Sequence, residues 1–246
     1  MTAFACEHIT RAYAGRPVVE DVSLQLSERE IVSLVGRSGV GKTTLLNVLA
    51  GVDVPDTGRV LLRGEDITGC AGRVGYMLQK DLLLPHKTIE DNVSLPLVLH
   101  GASKKAARAA AAPHFDTFGL RGYEKKYPSQ LSGGMRQRAA LLRTYLNGTD
   151  VILLDEPFSA LDALTKRELH SWYLDIIARI GAATLFITHD IEEAICLSDR
   201  VCVLGGSPGR ITSVISIEPP RPRPADFAAS PAFMESKRLL HEALGL

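Results

Sequence analysis

Residues 31–35, Ile-Val-Ser-Leu-Val, form an uncharged β-branched run of the kind that suits a strand buried on both faces. The run leads directly into Gly36-Arg37-Ser38-Gly39-Val40-Gly41-Lys42-Thr43-Thr44, and a helical pattern follows from about Lys42 to Ala50, with Gly51 at the expected C′ position. Few sequence features constrain a chain this tightly. The loop matches G-x-x-x-x-G-K-[ST] in full, and the match stands in the strand–loop–helix context that the pattern requires. Glycines let backbone N–H groups turn inward around phosphate oxygens, where side chains would collide. Lys42 reaches the β- and γ-phosphates as a point charge, and Thr43 offers a hydroxyl to Mg²⁺. The helix that starts there aims its positive end at the same phosphates.

The rest of the chain is organised around that unit. Before it, Phe4, Ile9, Tyr13, Val18, Val19, Val22, Leu24 and Leu26 predict short antiparallel strands with one buried face, broken at Gly15-Arg16-Pro17. From Gly58 to Leu78 short strands resume. Between about Thr88 and Leu146 the character turns helical, with Ser103 as an N-cap for a helix reaching Phe118. Alternation of strand and helix then returns: Val151–Leu154, Ala163–Ile180, Thr184–Thr188, Ile191–Leu197 and Arg200–Leu204. Glu218 to Ala225 reads EPPRPRPA, a stiff connector, and leads to an amphipathic helix near Pro231–Leu244. These signals predict an α/β fold with a parallel sheet and a helical insertion.

A second acidic site follows from Val151-Ile152-Leu153-Leu154-Asp155-Glu156-Pro157. Four apolar residues before two acids place both carboxylates at the C-terminal edge of a parallel sheet, where open α/β sheets bind ligands. Asp155 there suits Mg²⁺, and Glu156 is free to polarise the water that attacks a γ-phosphate.

Composition narrows the function classes. The 246 residues carry 28 Lys+Arg against 28 Asp+Glu, and this zero balance argues against a nucleic-acid partner. The longest stretch without a charge runs from Asn92 to Ser103 and contains Pro96, short of the roughly 20 apolar residues of a membrane span. The start, MTAFACEHIT, lacks the basic and apolar regions of a secretory signal, so the chain is expected to stay where it is made. Cys6, Cys70, Cys196 and Cys202 are scattered without metal-ligand spacing and read as small buried hydrophobes in a reducing compartment, although Cys196 and Cys202 flank an Asp199-Arg200 turn. Lys104, Lys105 and Arg108 read as a solvated helix face.

At Leu131-Ser132-Gly133-Gly134-Met135-Arg136-Gln137-Arg138 the chain resembles the signature of ABC-type ATPases, the nucleotide-binding subunits of ABC transporters. The resemblance covers nearly the whole chain. Tyr13 stands where the family has an aromatic that stacks on adenine, and Gln79 matches the Q-loop. Ser159-Ala160-Leu161-Asp162 matches the D-loop, and His189 matches the switch histidine. Six elements in family order are far more specific than any one alone.

The resemblance implies a P-loop NTPase (RecA-like) core with an N-terminal antiparallel β subdomain (about 1–86 together with 148–217), an inserted α-helical subdomain (about 87–147) and a C-terminal linker and helix (about 218–246). It implies ATP held by Tyr13, Gly36, Arg37, Ser38, Gly39, Val40, Gly41, Lys42, Thr43, Thr44, Ser132, Gly133 and Gly134. Mg²⁺ would be held at Thr43, Gln79 and Asp155, and catalysis would fall to Glu156, His189, Gln79 and Lys42. Ser132 and the amides of Gly133 and Gly134, at a helix N-terminus, are placed to donate to a γ-phosphate. In this family that phosphate belongs to a partner's P-loop, so the resemblance implies a head-to-tail homodimer closed by two ATP molecules. Two transmembrane permease subunits, an indirect solute-binding protein and a peripheral place on the cytoplasmic face of the inner membrane follow from the same resemblance.

Two departures from the commonest family text stand out. Met135 replaces a Gln after the signature glycines, and Arg37 and Thr43 stand where many members have Pro and Ser. Met135, with Leu83–Thr88, Asp91–Val93, Pro157–Thr165 and Gly206–Ile211, resembles the nitrate/sulfonate/taurine importer group, and importers of thiamine-precursor pyrimidines share much of that text. A soluble ABC ATPase of translation or repair is the alternative from another class. One P-loop, one signature and no long heptad array count against it. An exporter ATPase differs chiefly in partner, and the segment around Leu83–Val93 favours import.

Overall fold

The computed structural model describes residues 1–159, 161–224 and 226–246, and the side chain of Ala163 is also left undescribed. Ala160 of the expected D-loop and Ala225 at the end of the proline-rich run therefore lie outside the described residues. In chain order the strands and helices begin with β1 (Thr2–Tyr13), β2 (Arg16–Ser27), β3 (Ile31–Val35), α1 (Lys42–Leu49), β4 (Thr57–Leu62), β5 (Glu65–Asp66) and β6 (Gly75–Met77). The helical stretch holds α2 (Ile89–Val93), α3 (Leu95–Leu99), α4 (Lys104–Thr117) and α5 (Gly133–Tyr145). Alternation resumes with β7 (Val151–Asp155), α6 (Ala163–Ile180), β8 (Ala183–Ile187), α7 (Ile191–Leu197), β9 (Arg200–Gly205), β10 (Arg210–Ser216) and α8 (Pro231–Leu244).

Two sheets result. The first has order β2-β1-β4-β5 with antiparallel pairing, and the second has order β10-β9-β3-β8-β7-β6. In the second sheet β6, β7, β8, β3 and β9 run parallel, and β10 joins the edge antiparallel to β9. The expected short N-terminal strands are instead long ones of 12 residues each. Register shifts interrupt their pairing near Cys6–Arg11, and His8 and Asp21 take positive φ beside them, so bulges rather than chain breaks absorb the twist. β10 was not anticipated. Its residues are alternately covered, with Val214 turned outward, and form a half-exposed edge.

The period-2 geometry of strands explains how one sheet feeds two cores. Ile31, Ile152, Leu154 and Phe186 face one way and pack with Ile89, Phe118, Leu142 and Leu169 of the helices. Val32, Leu34, Val151, Leu153, Leu185 and Ile187 face the other way, toward Leu45 and Leu46 of α1 and Phe4, Ile9 and Val22 of the first sheet. β3, β7 and β8 are buried along their whole length, so their C-terminal ends emerge together at one rim.

The C-terminal segment covers the β9 flank, where Phe227, Phe233 and Leu240 pack on Val201 and Val203. Its proline-rich run is anchored. Arg221 pairs with Asp199, and Arg223 donates to the carbonyls of Ile195, Cys196, Ser198, Ile217 and Pro219.

Two surface expectations are corrected. Arg108 is not simply solvated, since it donates to Asp91 at 2.7 and 2.9 Å and ties α4 to α2. Cys70 is exposed rather than buried, while Cys6 and Cys202 are buried, and all four cysteines are free. Among the described residues no helix is long and apolar enough to cross a membrane.

Candidate active site

At the rim, the loop after β3 wraps so closely on its neighbours that side chains are excluded. A Cβ on Gly36 would meet the Leu204 carbonyl oxygen at 2.4 Å, and one on Gly41, where φ is +107°, would meet Val19 at 2.7 Å. Gly41 is also the N-cap of α1 and brings no side chain to its first amides. Side chains of Ser, Thr or Asp cap α2, α4, α5, α6, α7 and α8, whereas α1, like the short α3, has no side-chain cap, and its first N–H groups are open to an anion. Lys42 is buried and its ammonium donates to the carbonyls of Gly36 and Arg37 at 2.8 and 3.1 Å, curling into the mouth of the loop. Burial pushes its pKa down, partly offset by Glu156 and Asp155. Ser38 and Gly39 are exposed at the loop's outer turn, Val40 donates its N–H to Arg37, and Arg37 reaches away to the Gly245 carbonyl beyond α8.

Next to the loop, Thr43 donates its hydroxyl to Asp155 at 3.1 Å, joining the start of α1 to the end of β7. Burial raises the Asp155 carboxyl above its ordinary range, against the lowering effect of Thr43. A hydroxyl and a carboxylate held together are hard oxygen donors, so these two residues fit Mg²⁺.

Glu156 follows at φ +46°, an uncommon conformation for a non-glycine residue and one that concentrates at functional sites. The turn is over-determined: its N–H donates to Ile187 O at 3.0 Å, and its carbonyl accepts from the Ser159 hydroxyl at 3.0 Å. The carboxylate is thereby swung off the strand to a meeting point. Gln79 Nε2 donates to one oxygen at 3.1 Å, and His189 Nδ1 lies 3.3 Å from the other. The two arrive from separate strand ends, Gln79 after β6 and His189 after β8. The structure thus gathers Lys42, Thr43, Asp155, Glu156, Gln79 and His189 at one rim, with Gln79 engaging Glu156 and not the Thr43–Asp155 pair.

A family model described as ABC transporter matches residues 19–159, more than half of the chain. The chain belongs to the ABC transporter family. Among relatives, a formylaminopyrimidine import ATP-binding protein of Halalkalibacterium halodurans is 45% identical over 203 residues, covering 82% of this chain and 79% of the relative. An aliphatic sulfonates import ATP-binding protein of Burkholderia lata is 43% identical over 216 residues, covering 87% and 78%. Among solved structures, a dimeric ATP-binding cassette in a post-hydrolysis state with ADP and Pi aligns with a TM-score of 0.74 at 28% identity, over 88% of this chain and 99% of that one. Membership of this ABC family makes the chain an ATP-binding, ATP-hydrolysing cassette.

Other expected residues of this ABC chain lie apart from the rim cluster. Ser132 caps α5 by accepting from Met135 N–H, and Gly133 and Gly134 lie against Leu161 and Thr165, where a Cβ would approach to 3.1 and 3.2 Å. Tyr13 ends β1, with its hydroxyl on Asp53 and Arg11 over its ring.

Sequence reasoning missed the supports of the site. Arg136 pairs with Asp81 at 3.2 Å, and half-buried Arg143 donates to the carbonyls of Asp81 and Leu82 at 2.5 and 2.8 Å, so α5 grips the segment just after Gln79. Their seven-residue spacing puts both arginines on one helix face, a signal that was there to be read. Lys166 of α6 bridges Asp190 and Glu193 beside His189, at 3.2 and 3.5 Å, and had no local signal.

Proposed function

We propose that this chain is the ATP-hydrolysing subunit of an importer. Its solute would be a small molecule such as nitrate, a sulfonate or taurine, or else a thiamine-precursor pyrimidine, passing through separate membrane subunits. The import reading draws support from the relatives' names, and the choice of solute rests on chemistry outside this chain. The convergence of Gln79 and His189 on Glu156, beside the Thr43–Asp155 pair, carries the mechanistic part.

In this reading the α1 amides and Lys42 hold the β- and γ-phosphates, with Lys42 exchanging the Gly36 and Arg37 carbonyls for phosphate oxygens. Mg²⁺ bound by Thr43 and Asp155 would spread the charge developing on the phosphoryl group. Glu156 accepts the proton of the attacking water, Gln79 orients that carboxylate, and His189 holds its other oxygen and senses the γ-phosphate. Ser132 and the amides of Gly133 and Gly134 serve the nucleotide of a second copy, so the working unit is a head-to-tail homodimer. The helical stretch of residues 87–147 moves with its signature as a subdomain against the body formed by 1–86 and 148–217, while 218–246 braces the β9 flank.

A groove of about 440 Å³ lined by Val52, Leu82, Leu84, Leu95, Leu99 and Arg143 receives a permease segment. Val52, Leu82 and Leu99 are 64%, 51% and 76% exposed there, which is apolar surface without a partner in this chain. That docking places the protein peripherally on the cytoplasmic face of the inner membrane.

The test is Glu156→Gln. Hydrolysis is expected to fall by roughly 10²–10⁴-fold, with ATP retained and the variant trapped as a dimer by ATP and Mg²⁺ in light scattering. A variant that stays monomeric at saturating ATP would overturn the sandwich mechanism. For the solute, uptake by the complex formed with the neighbouring permease and binding protein, competed by sulfonate, nitrate or pyrimidine, separates the classes.

A further inference from the structure

Arg11 and Tyr13 lie two apart on β1 and so share one face of the strand. The Arg11 guanidinium carbon sits 4.7 Å from the centroid of the Tyr13 ring. The Tyr13 hydroxyl donates to Asp53 Oδ2 at 2.6 Å, and Arg11 grips the same carboxylate in two places, Nε to Oδ2 at 3.0 Å and a terminal nitrogen to Oδ1 at 2.8 Å. Asp56 adds a second clamp, accepting from Arg11 at 3.3 Å and from the Ala12 N–H at 2.6 Å. Asp53 is itself fixed, because its N–H donates to the Asn47 carbonyl of α1 at 3.1 Å. The brace therefore starts on the helix that begins at the phosphate loop and ends on an aromatic ring. Tyr13 pairs with Arg16 at the hairpin end, and Val18, two residues on, packs against Gly41 of that loop. With Arg11 against one face of the ring, Tyr13 remains 45% exposed.

The geometry points to Arg11 and Asp53 as positioning residues that hold Tyr13 as a stacking platform for the nucleotide base and thereby set how strongly the base contributes to binding. This rests on the reading of Tyr13 as the base-stacking residue and goes beyond it. A tyrosine at the end of a hairpin is free to turn about two side-chain torsions; one locked at its hydroxyl and covered on one face has a single orientation. Arg11 also fills the face that a base would otherwise compete for, so a base stacks on one side only. The carboxylate that accepts from the phenol pushes electron density into the ring, which strengthens its hold on both the cation and an electron-poor purine. Asp53 is matched to this task, since the Tyr13 hydroxyl and Arg11 together hold its carboxyl below the ordinary range although some burial opposes them.

The experiment compares binding of Mg-ATP with binding of Mg-inorganic triphosphate to the full chain, because the second ligand has no base. Tyr13→Ala is expected to weaken ATP roughly tenfold and leave triphosphate unchanged. Arg11→Ala and Asp53→Asn are each expected to weaken ATP about two- to fivefold, again with triphosphate unchanged. Tyr13→Phe, which removes only the hydroxyl contact to Asp53, is expected to weaken ATP no more than Asp53→Asn, which also loosens Arg11, and the double variant Tyr13→Phe/Asp53→Asn to fall short of the sum of the two, since the residues act as one brace. Arg11→Lys, which keeps the charge but not the bidentate grip, restores part of the ATP affinity. Unchanged ATP affinity in Arg11→Ala and Asp53→Asn while Tyr13→Ala loses it would overturn the brace and leave the platform standing. Equal losses for ATP and triphosphate would overturn it too, because the residues would then act through the fold. No effect of Tyr13→Ala would instead overturn the reading of Tyr13 on which the brace rests.

Discussion

The N-termini of α1 and α5 are both glycine-rich, yet the chain treats them in opposite ways. α1 opens at Gly41 with no side-chain cap, and every group its first turn needs is supplied nearby: Lys42, Thr43, and Asp155 across the rim. α5 opens at Ser132, which satisfies its own helix by accepting from Met135, and its glycines serve close packing against Leu161 and Thr165. Among the described residues, Asp155 and Glu156 have their partners at the α1 rim rather than at α5. In the reading proposed above, one terminus holds the nucleotide and the other serves the nucleotide of a second copy. In that reading the difference would make hydrolysis depend on a second copy, since the half that holds the nucleotide, the complete one, meets the other, incomplete half only by association.

That contrast breaks most sharply in a mixing experiment. Lys42→Ala removes the buried cation of the α1 loop and is expected to weaken ATP binding by about ten- to hundredfold, abolishing turnover. Ser132→Arg leaves the binding of ATP to the isolated chain unchanged and also abolishes turnover, because its damage lies at the other half. Mixed, the two inactive chains are expected to recover hydrolysis. Their heterodimer pairs the intact phosphate loop of one with the intact signature of the other. If the mixture stays dead while each variant is folded, the two termini do not meet across a dimer.

A smaller effect separates function from stability at the complete half. Burial raises the Asp155 carboxyl pKa, so the folded chain holds that proton more tightly than the unfolded chain does. From the ordinary carboxylate range up to the raised value, stability therefore falls as pH rises, and at neutral pH the ionised group is a standing cost. Asp155→Asn is expected to raise the melting temperature of the nucleotide-free chain, by roughly 2–4 °C for each kcal/mol relieved. It should also flatten the acid-side pH dependence and remove Mg²⁺-dependent hydrolysis. A lower melting temperature would mean that the Thr43 hydrogen bond outweighs burial.

How much of this was legible depends on the range of the signal. Ile31–Val35, Ala163–Ile180, Ile191–Leu197 and Pro231–Leu244 were read at their observed limits, because β-branched runs and Asp or Ser caps are local. β10 escaped because the apolar alternation of Arg210–Ser216 is weak and it is itself the edge strand, paired on one side with β9. The rim residues were named from motif order, which encodes the ends of separate parallel strands. That Gln79 and His189 take opposite oxygens of Glu156 depended on the positive φ at Glu156, which no composition announces. The supports were least legible. Arg11 with Asp53 and Lys166 with Glu193 join residues 42 and 27 apart, and pairing at that range leaves no periodicity.

The smallest effect sharpens the reading of the incomplete half. Ser132→Ala deletes the α5 cap and is expected to cost about 1 kcal/mol of stability, roughly 2–4 °C in melting temperature. Loss of hydrolysis in that variant is ambiguous, because a frayed helix and a missing phosphate donor both slow the reaction. Ser132→Asp resolves it. Aspartate caps a helix as well as serine does and is favoured by the helix dipole, so the melting temperature is expected to hold or rise slightly. Yet a carboxylate at that place offers no hydrogen to a γ-phosphate and repels its charge. Retained stability with hydrolysis lost and no ATP-trapped dimer in the Glu156→Gln background assigns the serine to a partner's phosphate. Retained stability with hydrolysis intact would reduce it to a helix cap.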